Sequence, residues 1–241
     1  MIRALAIQNC ELETFGSYGD ALCARDDVAL EVVHAYRGDP LPEADTFDVA
    51  LIGGTPISAY EADAHEFLRN ELDLLRELLA RQIPVLGICC GAQMLAMLLG
   101  ATVERSGAME IGGYTARLTN EGAIDPLLAH FPREIPVFHW HGDTFGIPAG
   151  GDLLVAGSGC RNQMFRAGAV VGVQFHLETT AAEAKTWAVA YADELAAAGL
   201  SAEEVIAEAA ASEPSRSRLA HILLGNFLDQ HFTCGTSATV C

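Results

Sequence analysis

A short apolar run that turns sharply into a helix constrains the fold of this chain more than any other stretch. Residues 84–88 form the apolar run, and residues 92–99 form the helix-forming segment. Cys89 stands at the bend, with Gly87 and Gly91 two residues away on either side. Backbones approach so closely in such a turn that β-carbons at the two glycine positions would clash. The pattern predicts a buried strand, a strained turn that presents Cys89, and a helix.

Two interpretations of Cys89 follow from this position. The unpaired N–H groups and the positive dipole end of the following helix favour a thiolate, which is the reactive form of cysteine. Cys89 would then be a nucleophile. The alternative is an ordinary buried cysteine, because a free cysteine behaves as a small hydrophobic side chain. The neighbouring residues alone leave both interpretations open.

Composition narrows the classes of function. The 241 residues are 51% hydrophobic and carry a formal net charge of −18, so we expect one globular domain that binds neither nucleic acid nor an anionic membrane surface. Residues 1–8 resemble a first strand rather than a leader, and no run reaches the roughly 18 apolar residues of a membrane span. We therefore expect a cytoplasmic location. The seven cysteines include no CxxC pair, which argues against a disulfide framework and a structural zinc site.

The first half of the chain alternates predicted strands with predicted helices. Strands are expected at residues 2–8, 28–34 and 47–52, with a helix between the first two. An amphipathic helix is expected at residues 61–81, where apolar residues recur at helical spacing. This order is typical of a parallel sheet that helices cover on both faces. The fold class is therefore predicted as α/β, with an open, mostly parallel sheet.

The second half is predicted to add short, partly antiparallel strands and then helices. The β-like runs are broken by glycine and proline and fall at residues 101–119, 135–140, 152–157 and 169–176. Helices are expected at residues 181–211, with a break at residues 199–201, and at residues 215–232. Residues 1–232 would form one domain, and residues 233–241 a disordered tail.

His176 and Glu178 are the predicted partners of Cys89. A cysteine nucleophile needs a base within hydrogen-bond reach, and the base needs a group that orients it. His176 ends an apolar strand, where α/β proteins place functional groups. If that strand continues to residue 178, its period of two puts both side chains on one face, and the carboxylate can fix the imidazole tautomer. The alternative is a strand-end histidine beside an exposed glutamate.

Two separate motifs resemble one enzyme family. The segment Gly87-Ile-Cys-Cys-Gly-Ala-Gln93 resembles the G-x-C-x-G-x-Q signature of class I glutamine amidotransferases, and Gly172-Val-Gln-Phe-His-Leu-Glu178 resembles their G-x-Q-x-H-P-E signature. Residues 51–60, 110–112 and 139–145 resemble patterns of the free-standing, GMP-synthase-like members. The similarity covers roughly residues 2–190. Leu177 departs from the usual proline but keeps the two-residue spacing.

The resemblance implies a fold and a reaction. The fold would be the flavodoxin-like fold of class I glutamine amidotransferases. The reaction would open a γ-glutamyl amide, in glutamine or in a γ-glutamyl amine or peptide, with a triad of Cys89, His176 and Glu178. A thioester glutamyl-enzyme would form and then be hydrolysed, so the enzyme would be a Cys-His-Glu amidohydrolase.

The resemblance also implies the remaining parts of the site. The elbow would supply the backbone N–H of Cys90 to an oxyanion hole, and Gly54, in the glycine loop after the third strand, would supply the second donor. Gln93 would contact the amino-acid end of the substrate. His141 and Asp143 would lie in the substrate pocket.

Three functions stay open on the sequence. One is a free-standing hydrolase of γ-glutamyl amides, a second is a glutaminase subunit that delivers ammonia to a separate synthetase or ligase, and a third is a silent binding or regulatory module. No Gly-rich phosphate loop is present, so no nucleotide cofactor is expected. The pattern His139-x-His141-x-Asp143 suggests a zinc site, but no distant ligand can be placed, so we expect no metal and a structural role for His139.

Overall fold

The computed structural model describes residues 1–232, so the predicted tail lies outside the described residues. Nine strands and six α-helices make up the regular structure of this part. The strands are β1 Ile2–Gln8, β2 Val28–His34, β3 Val49–Ile52, β4 Val85–Ile88, β5 Val103–Leu118, β6 Glu134–Phe145, β7 Asp152–Ala156, β8 Asn162–Ala167 and β9 Val170–Val173. The helices are α1 Gly16–Cys23, α2 Glu66–Ala80, α3 Cys90–Leu98, α4 Ala181–Ala190, α5 Ala192–Ala198 and α6 Ala202–His231.

All nine strands belong to one mixed sheet, in the order β2-β1-β3-β4-β9-β8-β7-β5-β6. The five strands from β2 to β9 in this order pair in parallel, and the pairs from β9 onwards are antiparallel. The predicted α/β class with a mostly parallel sheet is confirmed for the half that carries the elbow. The carboxyl ends of β3, β4 and β9 meet at one edge, which is where α/β sheets place their sites.

Helices cover both faces of the sheet and bury an apolar core on each. One core joins the sheet to α1 and α6 through side chains such as Tyr18 and Phe227. The other joins it to α2 and α3 through side chains such as Leu75 and Leu95. Helix α2 is strongly amphipathic, so its apolar face packs on the sheet and its charged face meets solvent. Within residues 1–232, no helix is both long and apolar enough to cross a membrane.

The strands of the second half are longer than predicted. Instead of short runs broken by glycine, β5 has 16 residues and β6 has 12, and they pair along most of their length. The pairing is irregular only between Arg105 and Glu110, where the strand register shifts. Strand β8 is absent from the sequence prediction, and β9 ends at Val173, three residues before His176.

Two helix predictions are also wrong. Residues 59–64 form a separate 3₁₀ helix, so the long helix starts at Glu66. Helix α6 continues through Pro214, in place of the predicted break. A proline removes one backbone donor from a helix. Near it, the carbonyl of Ala209 accepts hydrogen bonds from the side chains of Ser212 and Arg216, so polar side chains stabilise this turn of the helix.

Candidate active site

Cys89 occupies the strained turn between β4 and α3. Its backbone has φ +52° and ψ −112°, a conformation that L-residues rarely adopt, and its N–H donates to the carbonyl of Val173 on β9 at 2.7 Å. The predicted close approach is present, because a β-carbon on Gly87 would lie 2.6 Å from the carbonyl of Gly91. A β-carbon on Gly91 would lie 2.4 Å from the carbonyl oxygen of Ile52. Both glycines are therefore required for the elbow to form.

His176 and Glu178 form a buried pair beside the elbow. His176 Nδ1 is 2.6 Å from Glu178 Oε1, and the two residues are 2% and 4% exposed. The predicted cause, a strand extending to residue 178, is wrong, because β9 ends at Val173. The backbone of His176 instead exchanges two hydrogen bonds with Phe138 of β6, at 2.8 and 3.2 Å. The edge of the Trp187 ring packs against the imidazole.

The electrostatics of this pair favour an imidazolium. Burial lowers the pKa of His176, but the Glu178 carboxylate and the contact with Cys89 outweigh burial and raise that pKa well above its usual value. Because a hydrogen bond to a carboxylate requires a donor, Nδ1 carries a proton and Nε2 is the nitrogen left for Cys89 and a substrate.

The segment after Glu178 is fixed by the C-terminal helix. Arg216 of α6 is fully buried, and its Nη1 donates to the carbonyl of Thr179 at 2.6 Å. Its guanidinium also lies 5.5 Å from the centre of the Phe138 ring. Arg216 therefore connects α6 to both the residue after Glu178 and the strand that holds His176.

The glycine loop after β3 lies against Cys89. A β-carbon on Gly54 would be 3.3 Å from the Cys89 Cβ. The N–H of Gly53 donates to the Ile7 carbonyl at 2.9 Å, so it is engaged in the sheet. The N–H of Cys90 opens helix α3, where the first amides have no partner within the helix. Gly54 and Cys90 thus lie where an oxyanion hole would need them, and their role remains a proposal.

A buried pair orients the Gly53–Gly54 peptide. The carbonyl of Gly53 accepts from Asn9 Nδ2 at 3.3 Å, and the same amide donates to Glu71 Oε1 at 3.0 Å. Asn9 is 2% exposed and Glu71 is fully buried. Burial raises the pKa of Glu71 to about 8, although the hydrogen bond from Asn9 lowers it. No local sequence pattern indicates this pair, since its members lie 62 residues apart.

The three residues predicted to bind substrate line one pocket with Cys89 and His176. Gln93 Nε2 donates to Gln174 Oε1 at 3.1 Å, and Gln174 Nε2 lies 3.6 Å from the Cys89 sulfur. The Asp143 carboxylate accepts from the Ser58 hydroxyl at 2.6 Å. His141 Nδ1 is 3.0 Å from the Asp143 carbonyl oxygen. Gln93, His141 and Asp143 are therefore all held by protein contacts at the pocket wall.

The pocket also contains groups that sequence reasoning missed. Glu13, on the loop between β1 and α1, lines the pocket beside Gly54. Glu194 of α5 also lines the pocket, and its carboxylate accepts a hydrogen bond from the Trp140 indole at 2.7 Å. Burial, opposed by His176 and reinforced by nearby carboxylates, raises the pKa of Glu13 to about 7. Among the described lining residues, the aspartate and glutamates are accompanied by no lysine or arginine.

The structure revises the histidine pattern on β6. Asp143 turns towards Ser58, and Glu110 of β5 lies beside His139 and His141 in its place. Burial lowers the pKa of His139 to about 3, with a further contribution from His141. Burial raises the pKa of Glu110, but the neighbouring histidines and a backbone N–H outweigh it, and the pKa is about 2. Glu110 is thus ionised and His139 neutral near pH 7.

A mixed α/β sheet with a cysteine at its strand-to-helix elbow and a buried His-Glu pair beside it defines a protein of the glutamine amidotransferase type. The family described as "Glutamine amidotransferase class-I" matches residues 20–190. The chain belongs to this family, as its two motifs suggested.

Relatives agree with this assignment. A glutamine amidotransferase-like protein, YfeJ, of Salmonella typhimurium is 35% identical over 175 residues, which are 70% of this chain and 73% of that protein. A glutamine-hydrolysing GMP synthase subunit of Saccharolobus solfataricus is 30% identical over 152 residues, or 62% and 76% of the two chains. A GMP synthase of Cytophaga hutchinsonii is 33% identical over 172 residues, 69% of this chain, which match 32% of that protein.

Solved structures match over nearly the whole chain. The crystal structure of a glutamine amidotransferase from Thermotoga maritima has a TM-score of 0.86 and 32% identity and covers 95% of this chain and 98% of that one. A glutamine amidotransferase from Methylobacillus flagellatus has a TM-score of 0.85 and 26% identity, with 95% of each chain covered. The predicted fold of class I glutamine amidotransferases is therefore confirmed.

Proposed function

We propose that this chain hydrolyses a γ-glutamyl amide bond, in glutamine or in a γ-glutamyl amine or peptide, through a thioester on Cys89. The buried His176–Glu178 pair, 2.6 Å apart beside the elbow cysteine, is the observation that carries the proposal. A histidine oriented by a carboxylate next to a nucleophile is the arrangement that acyl transfer requires. A silent binding module would have no need of this buried charged pair.

In the first half of the reaction, the Cys89 sulfur attacks the side-chain carbonyl carbon of the substrate. A carbon–sulfur bond forms, and negative charge develops on the carbonyl oxygen. The N–H groups of Gly54 and Cys90 stabilise this charge. His176 gives its Nε2 proton to the nitrogen as the carbon–nitrogen bond breaks, and ammonia or an amine leaves. Loss of one oxyanion donor typically costs about 3 kcal/mol.

In the second half, water replaces the departed nitrogen. His176 takes a proton from the water, whose oxygen attacks the thioester carbon, and the carbon–sulfur bond breaks to release glutamate. Glu178 holds the imidazole in one tautomer throughout and stabilises its positive charge. The net reaction consumes one water and needs no oxidant or nucleotide.

Substrate contacts follow from the charge of the pocket. The glutamyl part of every substrate in this class carries an α-ammonium group, and Asp143 and Glu194 present their carboxyl groups to it or to a cationic leaving amine. Glu13, whose pKa burial raises to about 7, adds a partly ionised carboxyl group. Gln93 Nε2 donates a hydrogen bond to Gln174. We propose that Gln93 contacts substrate through the donors and acceptors of its side-chain amide that this bond leaves free, or that it fixes Gln174 against Cys89.

A panel of substrates with the purified chain tests the proposal. Glutamate release would be measured from glutamine and from γ-glutamyl amides whose leaving amines are cationic, neutral or anionic. We expect turnover of at least one amide by the wild type, loss of turnover in Cys89→Ala, and a preference for cationic over anionic leaving groups. Cys23→Ala, which removes an exposed thiol, is the matched control. Equal turnover by the Cys89→Ala variant would refute the mechanism.

A second candidate is a glutaminase subunit that passes ammonia to a separate synthetase. The similarity to the GMP synthase protein of Saccharolobus solfataricus favours it, because that relative is itself a subunit of a glutamine-hydrolysing synthase. The same panel distinguishes the two. A chain that hydrolyses glutamine only when a candidate synthetase is added supports the ammonia-donating role, and turnover by the chain alone supports the free-standing hydrolase.

A further inference from the structure

Glu110, His139 and His141 meet on one face of the ribbon formed by β5 and β6. In the strand register Glu110 lies opposite His141, and His139 lies two residues away along β6 on the same face. Glu110 Oε2 is 3.1 Å from His141 Nε2 and 3.9 Å from His139 Nε2. Their side chains are no more than 6% exposed. Three groups able to ligate a metal are thus brought together out of solvent.

The ring of His141 directs its second nitrogen, Nε2, at the carboxylate of Glu110. Its Nδ1 is 3.0 Å from the backbone carbonyl oxygen of Asp143, and because a carbonyl can only accept, Nδ1 carries the hydrogen. Nε2 is then the ring nitrogen that faces Glu110 Oε2. Although the two atoms are 3.1 Å apart, His141 Nε2 has no hydrogen-bond partner of acceptable geometry among the described residues. A histidine nitrogen and a carboxylate oxygen, both of which can ligate a metal ion, thus converge in a buried site.

The surroundings of His141 and Glu110 resemble those of metal ligands, whereas His139 Nδ1 has no hydrogen-bond partner among the described residues. A ligating histidine almost always donates its second ring N–H to a carbonyl or carboxylate, and a ligating carboxylate is itself hydrogen-bonded. Glu110 Oε1 accepts from the backbone N–H of Cys160 at 3.1 Å, and Oε2 accepts from Gln163 Nε2 at 3.1 Å. Tetrahedral ligands about 2.0–2.1 Å from zinc lie about 3.3 Å from one another. The observed separations of 3.1 and 3.9 Å bracket that spacing.

We propose that Glu110, His139 and His141 bind one divalent transition-metal ion, with zinc as the reference metal. Two imidazoles and one carboxylate suit zinc and its first-row neighbours rather than calcium or magnesium. The ion crosslinks β5 and β6 just beyond the register shift that ends at Glu110. It also fixes His141 at the pocket wall. This site is separate from the Cys89 triad, so it stands or falls independently of the proposed hydrolysis.

Cobalt substitution of the full chain tests the site. Cobalt(II) would be added to metal-free protein, in the wild type and in Cys89→Ala, and visible absorption recorded. We expect one equivalent to bind with ligand-field bands of a nitrogen and oxygen site and without sulfur-to-cobalt charge transfer, equally in both proteins. Zinc should displace the cobalt and raise the melting temperature with its concentration. Absence of saturable binding would overturn the proposal.

Matched variants locate the ligands. Glu110→Gln and His139→Gln should lose stoichiometric cobalt binding, while His221→Gln, which changes an exposed histidine of α6, should keep it. Binding that survives both ligand substitutions, or bands that show thiolate ligation, would place the metal elsewhere and refute the assignment. Circular dichroism checks folding of the variants. If a variant does not fold, the spectra of the wild type and Cys89→Ala still decide, because they report the ligand type directly.

Discussion

Replacing Asn9 with leucine should slow catalysis without weakening substrate binding. Asn9 Nδ2 holds the carbonyl of Gly53, and the N–H of Gly54 belongs to the same peptide plane. If Gly54 donates to the oxyanion, Asn9 sets the direction of that donor. Leucine keeps the number and branching of the side-chain heavy atoms of asparagine and removes the hydrogen bond.

The expected fall in kcat of Asn9→Leu depends on the contacts that still hold the glycine loop. The N–H of Gly53 still donates to the Ile7 carbonyl at 2.9 Å, so the loop keeps one of its two anchors. The lost orientation should cost about as much as one hydrogen bond contributes net, about 1 kcal/mol. This corresponds to about a fivefold fall in kcat with little change in KM. Complete loss of the donor, about 3 kcal/mol, is the upper limit.

Stability must be separated from catalysis in this experiment. Asn9→Leu leaves the buried Glu71 carboxyl without its donor, which should cost about 1–3 kcal/mol of unfolding free energy. Replacing both partners, as in Asn9→Leu with Glu71→Leu, should recover much of that stability but not kcat. Asn226→Leu is the matched control, since its amide also donates to backbone carbonyls but lies away from the pocket. Steady-state glutamate release and denaturant unfolding measure the two quantities, and a wild-type kcat in the folded double variant would refute the reasoning.

Three further predictions use the same preparations. The Cys89→Gly variant should be about 1 kcal/mol more stable than Cys89→Ala, opposite to the usual order, because φ at this position is +52°. Chemical denaturation measures the difference, and a more stable alanine variant would show that the turn is unstrained. Glu178→Gln should lower kcat/KM by about 10³-fold or more with an unchanged fold, since His176 loses the carboxylate that orients it, and a loss below about tenfold would exclude that role. The wild type should lose unfolding free energy relative to Glu71→Gln as the pH rises from about 5 to 8. The reason is that a carboxyl group with a pKa of about 8 in the folded protein keeps its proton at pH values where the unfolded chain releases it. A difference in unfolding free energy that does not change with pH would contradict this.

The elbow is predictable because the residues that define it lie close together in the sequence. Gly87, Cys89 and Gly91 lie within one short segment, although the contact that excludes a β-carbon at Gly91 is with Ile52 of β3. The pairing of His176 with Glu178 is also predictable, but strand periodicity predicts it for the wrong reason, since the backbone bridge to Phe138 causes it. Because His176 and Glu178 are only two residues apart, the predicted contact is correct although its predicted cause is wrong.

Other parts of the site depend on contacts that no local pattern encodes. Glu110 reaches His141 only because β5 and β6 pair with a register shift, and the length of such a shift cannot be read from either strand alone. The Asn9–Glu71 pair joins the end of β1 to the middle of α2. Pro214 predicts a helix break, but side-chain donors and packing against the sheet override local propensity there.

Arg216 shows that the segment matched by the family's sequence pattern and the segment that shapes the site end at different places. The sequence match to the family ends at residue 190, and α6 begins at Ala202. A chain cut at residue 190 would contain every recognisable motif and still lack the guanidinium that binds the carbonyl of Thr179. Boundaries drawn from motifs alone would therefore yield a fragment with the right chemical groups and an unsupported Glu178, and inactivity of that fragment would say nothing about the triad.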